Sequence, residues 1–481
     1  MSVLSNIKPE NVFRYFEEMC AIPHGSGNVS AISDYLKDFA DKRGLFVIQD
    51  DIKNIIIIKE ASEGYEQEPA VIIQGHMDMV AVSKPELDID MTKDPLKVAV
   101  DGDRVYAEGT SLGGDDGIAV AYALAILDDD TLKHPRLEVV ITVDEETGMD
   151  GAREIDLSML KGNRLLNLDS DVEGVFLTSC AGGAGVLCEM EFEPDLLDGC
   201  LYEVVVGGLQ GGHSGVEIHK ERGNSNLLMA RLLWDLRDAE MGLVNCQGGL
   251  ADNAIPRETK AMLLVSDEKK AFFEEVCHRF EREVAAELAT KDPDFYVSVK
   301  AGARGRVVCV AGDALKRTAA LLLSLPNGIQ AMSADMPGLV ETSLNLGVLK
   351  MNTEKMTAMY ALSSSIESSK EALMKKMEAL IYLAGGKYTC TGSYPGWAYR
   401  VDSPLRNKMM ALYEEMYGQK PQVEAIHAGL ECGLLASKIN DLDCVSFGPN
   451  MYNIHTTEEY ISISSVERVW EYLVRLLAMR G

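Results

Sequence analysis

Short, continuous apolar runs alternate with longer amphipathic stretches along the first third of this chain. Residues 9–44 predict a helix, a loop through Ile22-Pro23-His24-Gly25-Ser26-Gly27, and a second helix. The runs at 55–58 and 70–73 are β-branched without polar interruption, as strands buried on both faces are. The Ala-rich stretch 117–127 predicts a helix, and residues 137–143 and 165–168 predict two more strands. Strands alternating with helices predict an α/β domain with a largely parallel sheet, in which ligands bind beyond the carboxyl ends of the strands.

From about Cys180 the pattern changes. Ser179-Cys180-Ala181-Gly182-Gly183-Ala184-Gly185 reads as a flexible junction of small residues. Beyond it, strands are expected at 188–192, 201–206, 262–266, 296–300, 341–348 and 357–363. Helices are expected at 224–239, 269–289, 314–324 and 370–384. This is an inserted α+β domain. The α/β pattern returns from about Gly392, with helices at 405–417 and 465–479 and a strand at 444–447. The expected division is a discontinuous domain of residues 1–181 and 390–481, interrupted by a domain of residues 182–389.

Composition narrows the classes. A chain of 481 residues exceeds one ordinary core, so two domains are expected on length alone. No apolar run approaches the ~20 residues of a membrane span, and the first residues lack the basic and apolar regions of a signal peptide. A formal charge of −29 argues against nucleic acid and anionic membrane surfaces as partners. The ten cysteines show no Cys-x-x-Cys spacing and read as reduced, buried thiols in a cytoplasmic protein.

Candidate chemistry lies in His and acidic residues placed just beyond predicted strands: His76 and Asp78 in Gly75-His76-Met77-Asp78, the pair Glu145-Glu146, and Asp169. Asp115, in a Gly-flanked turn, and His455, near the C-terminus, complete the set. Imidazole plus carboxylate without thiolate is the donor set of a hydrolytic zinc or manganese site. His76 and Asp78, two apart in an extended loop, project to one side, so that Asp78 can hold the ring while its other nitrogen binds metal. One of the two adjacent glutamates can bind metal while the other remains free as a general base. Asp116 reads as an Asx turn or helix cap. Each of these residues alone has an ordinary explanation; their joint placement at strand ends favours the metal site.

The chain resembles the di-zinc metallopeptidase superfamily of aminoacylases and carnosinase-like dipeptidases, and within it the bacterial dipeptidases of Xaa-His type. The likeness runs through Val12-Phe13-Arg14-Tyr15-Phe16, Gly75-His76-Met77-Asp78-Met79-Val80, Ser111-Leu112-Gly113-Gly114-Asp115-Asp116-Gly117 and Asp144-Glu145-Glu146-Thr147-Gly148. It continues through Gly211-Gly212-His213-Ser214-Gly215 and His427-Ala428-Gly429-Leu430-Glu431-Cys432-Gly433.

The resemblance implies two divalent ions, zinc foremost, with manganese or cobalt as alternatives. His76 and Asp169 would hold one ion, Glu146 and His455 the other, and Asp115 would bridge them. It implies that Asp78 orients His76, that Glu145 is the base acting on the attacking water, and that the peptide bond after Asp115 is cis. It makes the inserted domain a lid and dimerisation domain of a cytoplasmic homodimer. His213, Asn253 and Gly429 would there contact a dipeptide or other short peptide.

One departure stands out. Where the resemblance implies a carboxylate-gripping Arg, this chain reads Ala361-Leu362-Ser363-Ser364-Ser365, leaving Arg257 or Lys220 as other sources of charge. A related amidohydrolase acting on N-acyl or carbamoyl amino acids is therefore the alternative. A scaffold that had lost its chemistry would be expected to have lost at least one ligand, and all are present.

Overall fold

The computed structural model describes residues 3–480, which divide into two compact units. The first comprises residues 3–179, 399–425 and 431–480; the second comprises 180–398 and 426–430.

The first unit is built on an eight-stranded sheet. Its four central strands, Leu137–Thr142, Val71–His76, Arg164–Asn167 and Asp443–Ser446, run parallel. On one flank Ile55–Lys59 and Phe46–Gln49 are antiparallel, as is Val175–Cys180 on the other. The sheet is thus parallel at its centre and antiparallel at its flanks. The uninterrupted apolar runs are what this position demands: every residue of Ile55–Lys59, Val71–His76 and Leu137–Thr142 is buried. Helix Gly114–Asp128 packs on Val71–His76 beneath helix Glu10–Cys20 and is buried all round from Gly117 to Leu127. A small antiparallel sheet joins Val98–Asp101 and Arg104–Ala107 to the hairpin of Met451–Tyr452 and Tyr460–Ser462. The hydrophobic pattern does not predict any of these four short strands.

The second unit carries a nine-stranded sheet in which every described pairing is antiparallel, covered by helices Ser225–Asp235, Lys270–Leu288, Gly312–Ser324 and Glu367–Ala384. Two expectations change here. The small-residue stretch after Cys180 is no flexible junction, because Gly182–Glu191 is a strand paired on both sides. Its glycines answer to close approach: a Cβ on Gly183 would stand 2.6 Å from the Tyr394 ring, and one on Gly185 2.9 Å from Thr391 Oγ1. The same pairing moves the expected boundary at residue 390. Strand Lys387–Tyr394 hydrogen-bonds to Gly182–Glu191 and carries the chain to Ala398 within the second unit. Residues 426–430 also belong there, since the Ala181 N–H donates to the carbonyls of Ile426 and Ala428.

Candidate metal centre

Three parallel strands end at one place. His76 closes its strand, Glu145 and Glu146 lie in the turn after Leu137–Thr142, and Asp169 lies two residues past Arg164–Asn167. Asp115 enters at the start of helix Gly114–Asp128, where the Asp115–Asp116 peptide bond is cis. His455 enters from the loop of the small hairpin, in the left-handed region at φ 62°. Residues spread over 380 positions of sequence thus meet in one unit.

Asp115 stands between the two imidazoles. Its Oδ1 is 3.3 Å from His76 Nε2, and its Oδ2 is 3.1 Å from His455 Nε2. His455 Nε2 also lies 2.7 Å from Glu146 Oε1. Ligand atoms of His76, Asp116 and Asp169 converge within 4.8 Å of one another, as do those of His76, Glu145 and Glu146, and those of Asp115, Glu146 and His455. Asp115 Oδ1 and Glu146 Oε1 are buried without a hydrogen-bond partner despite the nearby ring nitrogens. Orphaned carboxylate oxygens facing nitrogens without hydrogen-bond geometry fit oxygens and nitrogens directed at a common cation.

The electrostatics point the same way. The carboxylates of Asp115 and then Glu146, facing its ring, raise His455 to about 10 against the opposing effect of burial. Burial opposes protonation of His76, yet Asp115, Asp78, Asp169 and Glu145 raise it well above the usual range. Burial, then Asp115 and Asp116, push Asp169 well up. Burial raises Glu145 to about 8, opposed by His76 and reinforced by Glu431, Glu146 and Asp115. Carboxylates outnumber imidazoles in this cluster, and divalent cations satisfy such a buried excess of negative charge.

Two supports differ from their expected form. His76 Nδ1 is 2.9 Å from the backbone carbonyl of Asp78, to which it donates, while the Asp78 carboxylate is 3.5 Å away. That carboxylate also accepts from the Glu145 N–H at 3.0 Å and the Ser26 hydroxyl at 2.8 Å, so besides facing the ring it holds the turn of the glutamate pair. Asp116 does not cap the helix, whose N-cap position is Gly113. It is wholly buried, and its Oδ2 accepts from the His76 backbone N–H at 3.2 Å.

Two further carboxylates had no assigned role. Glu459 accepts from the N–H groups of Leu112, Gly113 and Gly114 at 2.8, 3.2 and 2.8 Å, tying the loop before Asp115 to the hairpin that carries His455. Glu431 is fully buried and accepts from Gln74 Nε2 at 2.5 Å and Thr142 Oγ1 at 2.6 Å, on two of the converging strands. Burial raises it to about 7. Both lie within the strings that carry the resemblance or beside His455, but only their burial separates them from surface glutamates.

The second unit brings His213, Asn253 and Gly429 together around a cavity of about 390 Å³, with Ser363 and His427 also in its wall. His213 Nδ1 accepts from the Gly215 N–H at 3.0 Å, which leaves the ring proton on Nε2. His427 Nε2 is 2.7 Å from Ser343 Oγ, and burial lowers its pKa to about 4. Neither Arg nor Lys lines this cavity. Lys220 is paired with Glu217 at 2.7 Å, and Arg257 lines a larger groove of about 970 Å³ that also includes His213 and Asn253.

The sequence profile of peptidase family M20/M25/M40 matches residues 72–479. The chain is 35% identical over 482 aligned residues to the cytosol non-specific dipeptidase of Escherichia coli K12, covering 99% of both. The chain belongs to peptidase family M20/M25/M40. As a member of M20/M25/M40 it is a metal-dependent peptide hydrolase, in keeping with the donor set described above. The crystal structure of aminoacylhistidine dipeptidase from Vibrio alginolyticus shares its fold at TM-score 0.94 and 35% identity, covering 99% of this chain and 98% of that one. Aminopeptidase PepT from Bacillus cereus is similar in fold alone, at TM-score 0.56 and 16% identity over 98% of each chain.

Proposed function

We propose that this chain is a cytoplasmic dipeptidase that hydrolyses short peptides of Xaa-His or broader type with two divalent ions. The observation that carries the reading is similarity over 99% of the chain to two proteins named as dipeptidases. The converging carboxylates and imidazoles support it. Among the described residues no helix is long and apolar enough to cross a membrane.

Zinc suits the donors best, and manganese or cobalt also accept them. Asp115 would bridge the ions, with His76 and Asp169 on one and Glu146 and His455 on the other. Such ions, when bound, polarise the scissile carbonyl and acidify water. The chain's own residues do the rest. Glu145, held in place through its backbone by Asp78, takes a proton from the attacking water. As the water oxygen bonds to the carbonyl carbon and the C–N bond breaks, Glu145 delivers that proton to the leaving amine nitrogen. His213, Asn253 and Gly429 are assigned to substrate contact, with the Nε2 proton of His213 available to a carbonyl oxygen. A homodimer formed through the second unit completes the proposal.

The cavity without Arg or Lys favours one second reading, a related hydrolase of N-acyl or carbamoyl amino acids. A panel of Xaa-His peptides, other dipeptides and N-acetyl amino acids, run at defined metal loading, separates the two. Dipeptide cleavage is expected. Turnover confined to N-acyl compounds would replace the first reading with the second.

A further inference from the structure

A second cavity, of about 340 Å³, lies in the first unit at the amino ends of the strands whose carboxyl ends carry the metal centre. Val71 and Arg164, the first residues of two central strands, are in its wall. A six-residue strand spans roughly 20 Å, so the two sites are separate.

The walls are apolar, with Leu166, Leu405, Leu476 and Leu477 lining the space. Three cations, Arg164, Lys408 and Arg480, also line it, against the single carboxylate of Glu68. In a chain of net charge −29 this is an unusual concentration of positive charge. Lys408 is half-buried and donates to the carbonyls of Met479 and Arg480 at 3.0 and 3.1 Å, which fixes the ammonium in the wall. Arg480 lies over the Tyr65 ring, 4.9 Å from its centroid. Among the described residues neither Arg164 nor Arg480 is in an ion pair, although Arg480 stands near enough to Glu66 to help lower that carboxyl, behind its backbone hydrogen bonds. Burial first, and then the nearby Arg164, lower the Lys408 pKa, opposed by Glu68.

Apolar walls with two guanidinium groups and an ammonium match one ligand chemistry: a hydrocarbon or aryl body carrying one anionic head. The volume falls within the range of small-molecule sites. We propose that this cavity binds a small amphiphilic anion, its apolar part against the leucines and its head between Arg164, Lys408 and Arg480.

The test uses the full chain and octanesulfonate, an anion that ligates metals poorly, with octanol as neutral control. Calorimetric titration is expected to show saturable one-to-one binding of octanesulfonate and at least about tenfold weaker binding of octanol. Arg164→Gln is expected to weaken octanesulfonate about tenfold or more and to leave peptidase activity unchanged. No saturable binding, equal affinity for octanol, or undiminished affinity in folded Arg164→Gln overturns the proposal. If circular dichroism shows that variant unfolded, Arg480→Gln decides in the same way, because its side chain lies on the surface against Tyr65.

Discussion

Asp115 offers one carboxylate oxygen to each of two imidazoles, while Glu145 sits beside them without that double engagement. The two acids should therefore fail differently. Asp115→Ala is expected to lose bound metal, read as ions per chain by elemental analysis. Glu145→Gln is expected to keep its metal and lose kcat by about 10²–10⁴-fold, the usual range for a general base. Full activity in Glu145→Gln would remove it from that role. His427 allows a separate residue-scale test. Its folded pKa of about 4 lies below the ordinary imidazole value, so the unfolded chain binds the proton more readily. Its contribution to stability is then intact above about pH 6.5 and is lost as pH falls towards 4, by about 2 kcal/mol at pH 5. Urea midpoints at pH 7 and pH 5 should show this loss, and His427→Gln should reduce the difference. Such residues are hard to read from sequence because a buried histidine and a loop histidine look alike until neighbours from distant positions surround them.

At the scale of elements, the contact between helix Gly114–Asp128 and strand Val71–His76 sets how closely Asp115 approaches His76. Gly75 makes that contact possible, since a Cβ there would overlap Asp116 Oδ2 and stand 2.8 Å from Ala119 Cβ. Gly75→Ala is expected to cost about 1–3 kcal/mol and to weaken metal binding, because it displaces the carboxylate that holds the His76 N–H. Gly305→Ala is the control: a Cβ there meets nothing within 4 Å, and its melting temperature should stay within a degree or two of the parent. The buried strands and the apolar helix were legible because both-sided burial leaves no room for polar residues. The strand Gly182–Glu191 was not, because its glycines serve a partner, Lys387–Tyr394, some 200 positions away. Composition alone cannot distinguish glycine chosen for close approach from glycine chosen for freedom.

For the whole molecule, a centre whose proposed ligands run from residue 76 to residue 455 would link metal binding to folding. Chelation is expected to lower the melting temperature of the first unit, and a divalent ion at about a thousand times its Kd to restore about 4 kcal/mol. An unchanged melting temperature after verified metal removal would argue against the assigned ligands. Light scattering tests the proposed dimer, with a monomer at working concentration as the opposing result. By itself the sequence determined the α/β class, the buried strands and the candidate donor residues, because these depend on local periodicity and on chemistry that each residue carries alone. Only the tertiary structure decided which atoms converge. It put the Asp78 carbonyl on His76, placed the Asp78 carboxylate on the glutamate turn, and gave roles to Asp116, Glu431 and Glu459. A carboxylate becomes a support only when burial removes water and supplies particular N–H groups in its place, and that depends on how distant segments pack.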